Sequence, residues 1–368
     1  MTKARTNASA SPAVGRNIIQ NGAMNVAQRS ASVTGLGASA GYFTCDRWKL
    51  NFAGSTAGRL TMSQTSDGPN GISANCIKLD CTTADTSIAA GEFAILQQLI
   101  EGQNLQRLGK GVAGAKQITV SFYVKGSRAS TQVCNLYEGD NNRHIGATFS
   151  VTTDWTRVEI TFPADEDDGS SPLADDNTVS IYFQIWLHAG STYAGGTIQT
   201  TWANYVVNKT AAGCDSLFSS TDNNFFLTGV QMEVGPVATE FEQEDISTTL
   251  QKCQRYYHKY GSTLDGSTYQ MLANGHLPTT SRIFSTFAFS PPMRTQPTMS
   301  TTGTPANYAV MNANANTAVT SGPSIDGQTS EQTVFLFADT GATMTAGQGA
   351  LLRGNGTSAA FLGFDAEL

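Results

Sequence analysis

Tyr182, Gln184 and Trp186 alternate with apolar residues along one stretch of the chain. Because successive side chains of a β-strand point to opposite faces, residues 179–187 predict a strand with two rings and an amide on one face. Flat rings and amides suit the binding of a sugar. Tyr123 is a candidate to join them from an adjacent strand. The alternative is that a loop, another domain or a neighbouring subunit covers this face.

Hydrolysis of a glycan would need two carboxylates held about 5 to 10 Å apart across a sugar cleft. Glu101 and Glu233 are the candidates, but each lies close to a glycine at a predicted strand end, where a backbone or capping role is expected. The sequence contains neither a G-x-S-x-G elbow nor a Cys/His nucleophile signature. We therefore predict that the protein is not an enzyme and has no catalytic residues.

Residues 109–114 match the pattern G-x-G-x-x-G that many dinucleotide-binding proteins share. That fingerprint requires a strand before the glycines and a helix after them. Here the order is reversed, since a short predicted helix precedes the glycines and a predicted strand at Ile118 follows them. The pattern therefore predicts a turn and no nucleotide cofactor.

The Cys, His and acidic residues of the sequence show little of the spacing that is typical of metal-binding sites. Cys76 and Cys81 lack a second pair of ligands, and the four histidines are widely separated. The acidic loop at residues 165–168, with Asp175 and Asp176, offers oxygen ligands for calcium but lacks the alternation of an EF-hand loop. We predict a solvated loop, no metal and no cofactor, and mostly free thiols for the six scattered cysteines.

Charge and hydropathy exclude several classes of partner. The net charge is -7, and residues 161–250 contain 13 acidic side chains against one basic side chain. Such a segment would repel nucleic acid, which the rest of the chain is too poor in Lys and Arg to bind. No segment approaches the ~18 consecutive apolar residues of a membrane span, and the first 16 residues lack the apolar run of a secretory signal.

Strict two-residue alternation predicts strands at residues 118–124, 157–162 and 179–187, with a further candidate at 225–234. Turn-rich loops separate these segments, which favours a β-sandwich over βαβ units. Beyond residue 263 the chain alternates again and is rich in Thr, Ala, Asn and Gly. We predict a second, smaller β domain there.

One helix is predicted between the two β regions, from Asp245 to Tyr260. Its apolar positions follow a 4, 3, 4, 3 spacing, and the charged side chains lie largely off that stripe. The stripe would either lie on the axis of an oligomer or pack against a β domain of its own chain. Its residues are Ile246, Leu250, Cys253, Tyr257 and Tyr260.

Several short segments, taken in order, resemble a family of tailed-bacteriophage virion proteins. They are NIIQNGAM at 17–24, AQR at 27–29, DRW at 46–48, QQLIEG at 97–102, FLTGVQMEVG at 226–235, CQRYY at 253–257 and DAEL at 365–368. The resemblance implies an N-terminal jelly roll similar to carbohydrate-binding modules, a connecting helix and a distal β domain. It also places Trp48 in a shared motif, and we expect Trp48 and Trp155 to be largely buried.

The expected organisation is all-β. An N-terminal arm (1–16) precedes a jelly-roll β-sandwich (17–244), a connecting helix (245–262) and a small C-terminal β domain (263–368). The resemblance implies calcium bound just after Asn21-Gly22, but Ala23, Met24 and Asn25 supply no acidic ligand there. A calcium site at this place is therefore not expected.

The resemblance implies a non-enzymatic structural appendage of a bacteriophage: a tail fibre, head fibre, spike or capsid decoration. Such a protein would be assembled in the host cytoplasm and lie on the virion surface. Its expected partners are other virion proteins, a host-surface glycan and two further copies of itself in a homotrimer. The competing functions are a tail-spike glycan depolymerase and a secreted carbohydrate-binding adhesin.

Overall fold

The computed structural model describes residues 15–54, 56–166, 172–261, 267–313, 315–341 and 344–368. The chain divides into two compact units. The first extends to Thr249 and includes Leu368, and the second is Leu250–Glu367. The division falls inside a helix, Ile246–Gln254.

The first unit is a sandwich of antiparallel strands. In the described residues these are β1 Ser32–Leu36, β2 Gly41–Tyr42, β3 Lys49–Ala53, β4 Arg59–Thr65, β5 Cys76–Thr83, β6 Phe93–Glu101, β7 Ile118–Gly126, β8 Ser130–Glu138, β9 Arg143–Val151, β10 Thr156–Phe162, β11 Val179–Ala189, β12 Ala203–Asn204 and β13 Asn224–Val234. Helix α1, Ser191–Ala194, lies between β11 and β12. Short 3-10 turns occur at Gly102–Asn104, Gln106–Leu108, Val207–Lys209 and Leu217–Ser219.

The strands form two sheets with orders β1-β4-β5-β13-β7-β10 and β12-β9-β8-β11-β6-β3-β2. We call them the β13 sheet and the β11 sheet. The chain crosses repeatedly from one sheet to the other, as in a jelly roll, and the described pairings are antiparallel. The prediction of an all-β chain with an N-terminal jelly-roll sandwich is confirmed.

The inner faces of both sheets supply one apolar core. Phe122 of the β13 sheet and Phe183 of the β11 sheet approach edge to face, with ring centres 6.4 Å apart. Trp48 lies 6.0 Å from Phe183 and donates from Nε1 to the carbonyl oxygen of Asn21 at 3.2 Å. Its side chain is fully buried, so the prediction for Trp48 is confirmed.

Trp155 is less deeply buried than Trp48. Trp155 is only half-buried, and its Nε1 donates to the carbonyl oxygen of Asp67 at 2.9 Å. It directly precedes β10, which is the edge strand of the β13 sheet. Its ring therefore lies against Phe226 and the Lys125 ammonium at the surface, because no further strand covers it.

A buried network of four charges accounts for two sequence motifs. Lys110, within the glycine pattern, lies 2.7 Å from Asp165 and 3.1 Å from Glu138. Arg143 forms a two-pronged ion pair with the same Asp165 carboxylate. The two positive charges balance the two negative ones, which the low dielectric of the interior requires. These neighbours hold the pKa of Asp165 below its ordinary value, although burial opposes the shift.

This network corrects the prediction for part of the acidic loop. Asp165 is buried and ion-paired, whereas a solvated loop was predicted. Asp167 and Asp168 lie outside the described residues. Asp176 is exposed, and its Oδ1 accepts from the backbone N and the hydroxyl of Thr178.

The second unit contains a closed barrel of six strands, in the order β15-β16-β20-β19-β18-β21, and a sheet of order β14-β22-β17. Its strands are β14 Tyr257–Gly261, β15 Met271–His276, β16 Arg282–Ala288, β17 Thr298–Ser300, β18 Tyr308–Asn312, β19 Ala315–Ile325, β20 Thr333–Thr340, β21 Gly349–Gly354 and β22 Phe361–Asp365, with a 3-10 turn at Pro305–Asn307. Alternate residues of these strands, such as Val334 and Leu336, fill the core. The C-terminal region is thus made of β-strands, as predicted.

The connecting helix, α2 Ile246–Gln254, is shorter than predicted. Its start agrees with the sequence, because Oδ1 of Asp245 accepts from the backbone N of Ser247 at 2.8 Å. The prediction of a helix continuing through Tyr260 is wrong. Residues 257–261 form β14 and pair with β22, about a hundred residues further along the chain.

The five-residue helical stripe is therefore broken. Tyr257 and Tyr260 lie on β14, where Tyr257 is buried and the ring of Tyr260 contacts those of Phe287 and Phe364. Ile246, Leu250 and Cys253 remain on α2. Cys253 is buried, whereas Ile246 is 51% exposed. The aromatic residues prefer the strand, since pairing with β22 buries their rings.

We predict that Trp48→Ala lowers the free energy of unfolding by about 3 to 5 kcal/mol, because it leaves a cavity between the sheets. Chemical denaturation followed by far-UV circular dichroism measures the loss. Trp155→Ala is the matched control and should cost less, since this side chain is only partly buried at the edge of the sheet. Equal losses in the two variants would contradict the assignment of Trp48 to the core.

Candidate functional site

The outward-facing side of the β11 sheet carries three of the four residues that the sequence singled out for sugar binding, Tyr182, Gln184 and Trp186. Strand register pairs Tyr182 of β11 with Tyr137 of β8 and Leu99 of β6. Directly paired residues of an antiparallel sheet share a face. We call this surface the outer face; its central rows are Tyr182–Tyr137–Leu99, Gln184–Asn135–Gln97 and Trp186–Val133–Ile95.

Trp186 is on the predicted face but is covered by its own chain. It is 3% exposed, and its ring centre lies 5.5 Å from Tyr193 of α1 and 5.7 Å from Phe93. Residues 190–214 return across this end of the sheet, and Ala211 packs on the same cluster. The placement of Trp186 on an open binding surface is therefore wrong, and the alternative of a covering loop is confirmed.

The central row is polar and engaged within the protein. Gln184 is 9% exposed, and its Nε2 donates to Oε1 of Gln97 at 3.1 Å. Nδ2 of Asn135 contacts the carbonyl oxygen of Thr210 at 3.5 Å. Gln184 therefore links two neighbouring strands through its side chain and offers little exposed surface to a ligand.

The open part of the outer face is a row of three half-buried tyrosines, Tyr182, Tyr137 and Tyr205. The ring centres of Tyr182 and Tyr137 are 5.3 Å apart, and those of Tyr137 and Tyr205 are 5.2 Å apart. We call these three residues the tyrosine ladder. The sequence singled out Tyr182 alone, although Tyr137 also alternates with the buried Cys134 and Leu136.

Polar groups at the edge of the ladder hold it in place. The Tyr137 hydroxyl donates to Oδ1 of Asn142 at 3.1 Å, and the backbone N of Tyr205 donates to the carbonyl oxygen of Asn142 at 2.8 Å. Asn142 adopts a positive φ of 55° in the tight turn between β8 and β9. One turn residue thereby holds the hydroxyl of Tyr137 and the backbone of Tyr205.

The ladder is uncharged at neutral pH. Burial raises the pKa of all three phenols above its usual value of 10. His144, whose ring lies 5.2 Å from Tyr205, is buried, and burial together with the nearby Lys209 lowers its pKa to about 4. A ligand on the ladder therefore meets uncharged rings, with the charges of Asp140 near Tyr182 and of Lys209 near His144.

Tyr123 does not join this site. It lies on β7 of the β13 sheet, where Arg157 and Thr228 are its partners across the neighbouring strands. Tyr123 is half-buried on the outward side of that opposite sheet. The sequence predicted its face correctly, but nothing local to the strand reveals which sheet the strand enters.

The two candidate carboxylates lie on different sheets, and each accepts hydrogen bonds from nearby side chains or backbone. Glu101 ends β6 of the β11 sheet, is fully buried and accepts from Nε2 of Gln103. Glu233 of β13 accepts from the backbone N and the hydroxyl of Thr239, and from Nε2 of Gln231. Both carboxylates hold loops in place.

Across the part of the chain that the structure describes, no three His, Cys, Asp or Glu side chains are grouped to hold a metal ion. All six cysteines are free thiols, as predicted for most of them. Among the same residues, no helix is both long and apolar enough to cross a bilayer.

No protein-family model and no curated protein sequence matches this chain. Solved structures similar to it include the enzymatically active domain of tailspike protein 4 of bacteriophage CBA120, with 11% identity and a TM-score of 0.32 over 60% of this chain and 21% of that one. A family 4 carbohydrate-binding module has 12% identity and a TM-score of 0.30, over 59% and 99% of the two chains. The module TmCBM61, in complex with β-1,4-galactotriose, has 9% identity and a TM-score of 0.29, over 60% and 99%.

We predict that Trp186→Ala lowers the free energy of unfolding by about 3 kcal/mol or more, because Trp186 anchors residues 190–214 to the sheet. The measurement is chemical denaturation, with limited proteolysis of residues 190–214 as a second readout. A variant with unchanged stability and an uncut loop would show that the ring is not the anchor.

Proposed function

We propose that this chain is a non-enzymatic glycan-binding component of a bacteriophage particle and that the tyrosine ladder is its glycan-binding surface. The observation that carries the proposal is the row of three neighbouring, half-buried rings on one face of the β11 sheet. Tyrosine rings present broad apolar surface with few rotatable bonds, so little conformational entropy is lost on binding.

The surroundings of the ladder suit a polyhydroxylated ligand. Its rings would pack against the C–H faces of successive sugar units, and the exposed side chain of Asn142 lies beside them as a hydrogen-bonding group. The neutral state of the phenols and of His144 favours a ligand that is recognised by shape and hydrogen bonds. Other binding modules use the same combination of apolar surface and a few polar groups.

Binding without catalysis is favoured by the two engaged carboxylates, Glu101 and Glu233. A tail-spike depolymerase is the alternative, and incubation of host polysaccharide with the protein separates the two functions. A fall in the polymer's molecular mass would overturn the non-enzymatic proposal, and an unchanged mass with retained binding supports it.

The place on a virion surface rests on the resemblance of the short sequence segments to virion proteins. Mass spectrometry of purified particles tests it, because a secreted adhesin would be found in the culture medium and not in the particle. The other virion proteins that contact this chain would be identified by cross-linking within the same particles.

The homotrimer remains a prediction, now without the long helical stripe. We expect sedimentation of the full-length protein to give a species near three times 38.9 kDa. A monomer at micromolar concentration would contradict the prediction. The role of α2 in the trimer is tested with Leu250→Glu, since Leu250 is half-buried on this helix. Tyr257→Glu is not used for this test, because it would place a charge in a buried strand position.

We predict that Tyr182→Ala or Tyr137→Ala weakens retention on host-surface polysaccharide by about tenfold or more, since each removes one stacking platform. Affinity electrophoresis in gels that contain the polysaccharide measures the change. Tyr123→Ala is the matched control, because it removes a half-buried tyrosine from the opposite sheet. Equal retention of all three variants and the wild type would overturn the ladder as the binding surface.

A further inference from the structure

A concave site separate from the tyrosine ladder lies in the jelly-roll unit. Residues 68–74, in the loop between β4 and β5, line an open surface cavity of about 460 Å³ together with Asn25 and Gln243. This volume is within the usual range for small-molecule sites. None of the three ladder tyrosines lines it.

The loop that forms the cavity is held in one shape by backbone constraints. The carbonyl oxygen of Pro69 accepts from the backbone N of Ile72 at 3.2 Å, and Gly71 within this turn has a φ of +80°. This geometry is that of a type II turn, which favours glycine at its third position. Gly68 passes so close to Ser73 that a β-carbon would lie 2.1 Å from the Ser73 carbonyl oxygen.

Hydrogen bonds orient the two amides that face this loop. Oδ1 of Asn25 accepts from Nδ2 of Asn75 at 3.0 Å, and Nε2 of Gln243 donates to the carbonyl oxygen of Ile72 at 2.6 Å. The Asn25 Nδ2 donor and the Gln243 Oε1 acceptor then have no partner among the described residues. Asn70, at the tip of the turn, adds a third amide.

The side chains that line the cavity indicate which class of ligand it would bind. It contains amides, the Ser73 hydroxyl and backbone groups, with Pro69 and Ile72 as apolar surface and no charged side chain. An ionised ligand would find no counter-charge among these lining residues. Sugar hydroxyls both donate and accept, so they match a free donor beside a free acceptor.

We propose that this cavity binds one residue of a neutral saccharide, a hexose or an N-acetylhexosamine. It is a site separate from the tyrosine ladder and does not depend on it.

Asn25→Asp tests the proposal with little change of shape. The carboxylate keeps the oxygen that accepts from Asn75 and replaces the free amide donor by a second oxygen. Ala74→Trp, at an exposed position of the lining, is a second variant that fills the cavity. Thermal unfolding and circular dichroism confirm that each variant is folded.

The full-length protein is titrated with glucose, galactose, mannose and N-acetylglucosamine, and binding is followed by saturation-transfer NMR. We expect at least one sugar to bind the wild type, with about tenfold weaker binding to Asn25→Asp, none to Ala74→Trp and unchanged binding to Tyr182→Ala. Absence of binding for all four sugars, or equal binding by the wild type and Ala74→Trp, would overturn the proposal. Loss in Tyr182→Ala alone would assign the binding to the ladder and would also overturn it.

Discussion

The burial of alternate residues between two sheets is the constraint on which the sandwich and its binding face depend. Ile181, Phe183 and Ile185 of β11 are fully buried, and each removes apolar area from water at roughly 25 cal/mol per Å². A shift of one residue would exchange the two faces of the strand. The core therefore determines that Tyr182, Gln184 and Trp186 point away from it.

Whether those outward residues are buried or exposed depends on the segments of the chain that pass over them. At the Trp186 end, residues 190–214 cover the sheet and convert a large aromatic surface into a small second core with Phe93 and Tyr193. At the Tyr182 end, the turn after β8 leaves the rings half-exposed and holds them through Asn142. One strand thus contributes a structural anchor and a candidate binding residue four positions apart.

Buried charged residues of the first unit explain two sequence motifs, the glycine pattern and the acidic loop, that would otherwise suggest nucleotide or calcium binding. Lys110 stands within a glycine pattern typical of nucleotide-binding loops, yet its ammonium meets Asp165 and Glu138 and lies 4.4 Å from the centre of the Trp202 ring. The glycines around it carry the chain into this buried position. The acidic loop likewise contributes a buried counter-ion, because each interior charge needs a partner.

The sequence alone determined the all-β class, the positions and faces of the main strands and the start of α2, because each depends on residues close together in the chain. Only the tertiary structure decided that Tyr123 and Tyr182 lie on opposite sheets and that Tyr137 and Tyr205 stand beside Tyr182. It also decided that residues 257–261 pair with β22, which ends the helix early. Periodicity reports which side of a strand is buried. Strand partners and covering loops are chosen by contacts between distant segments, which no local pattern encodes.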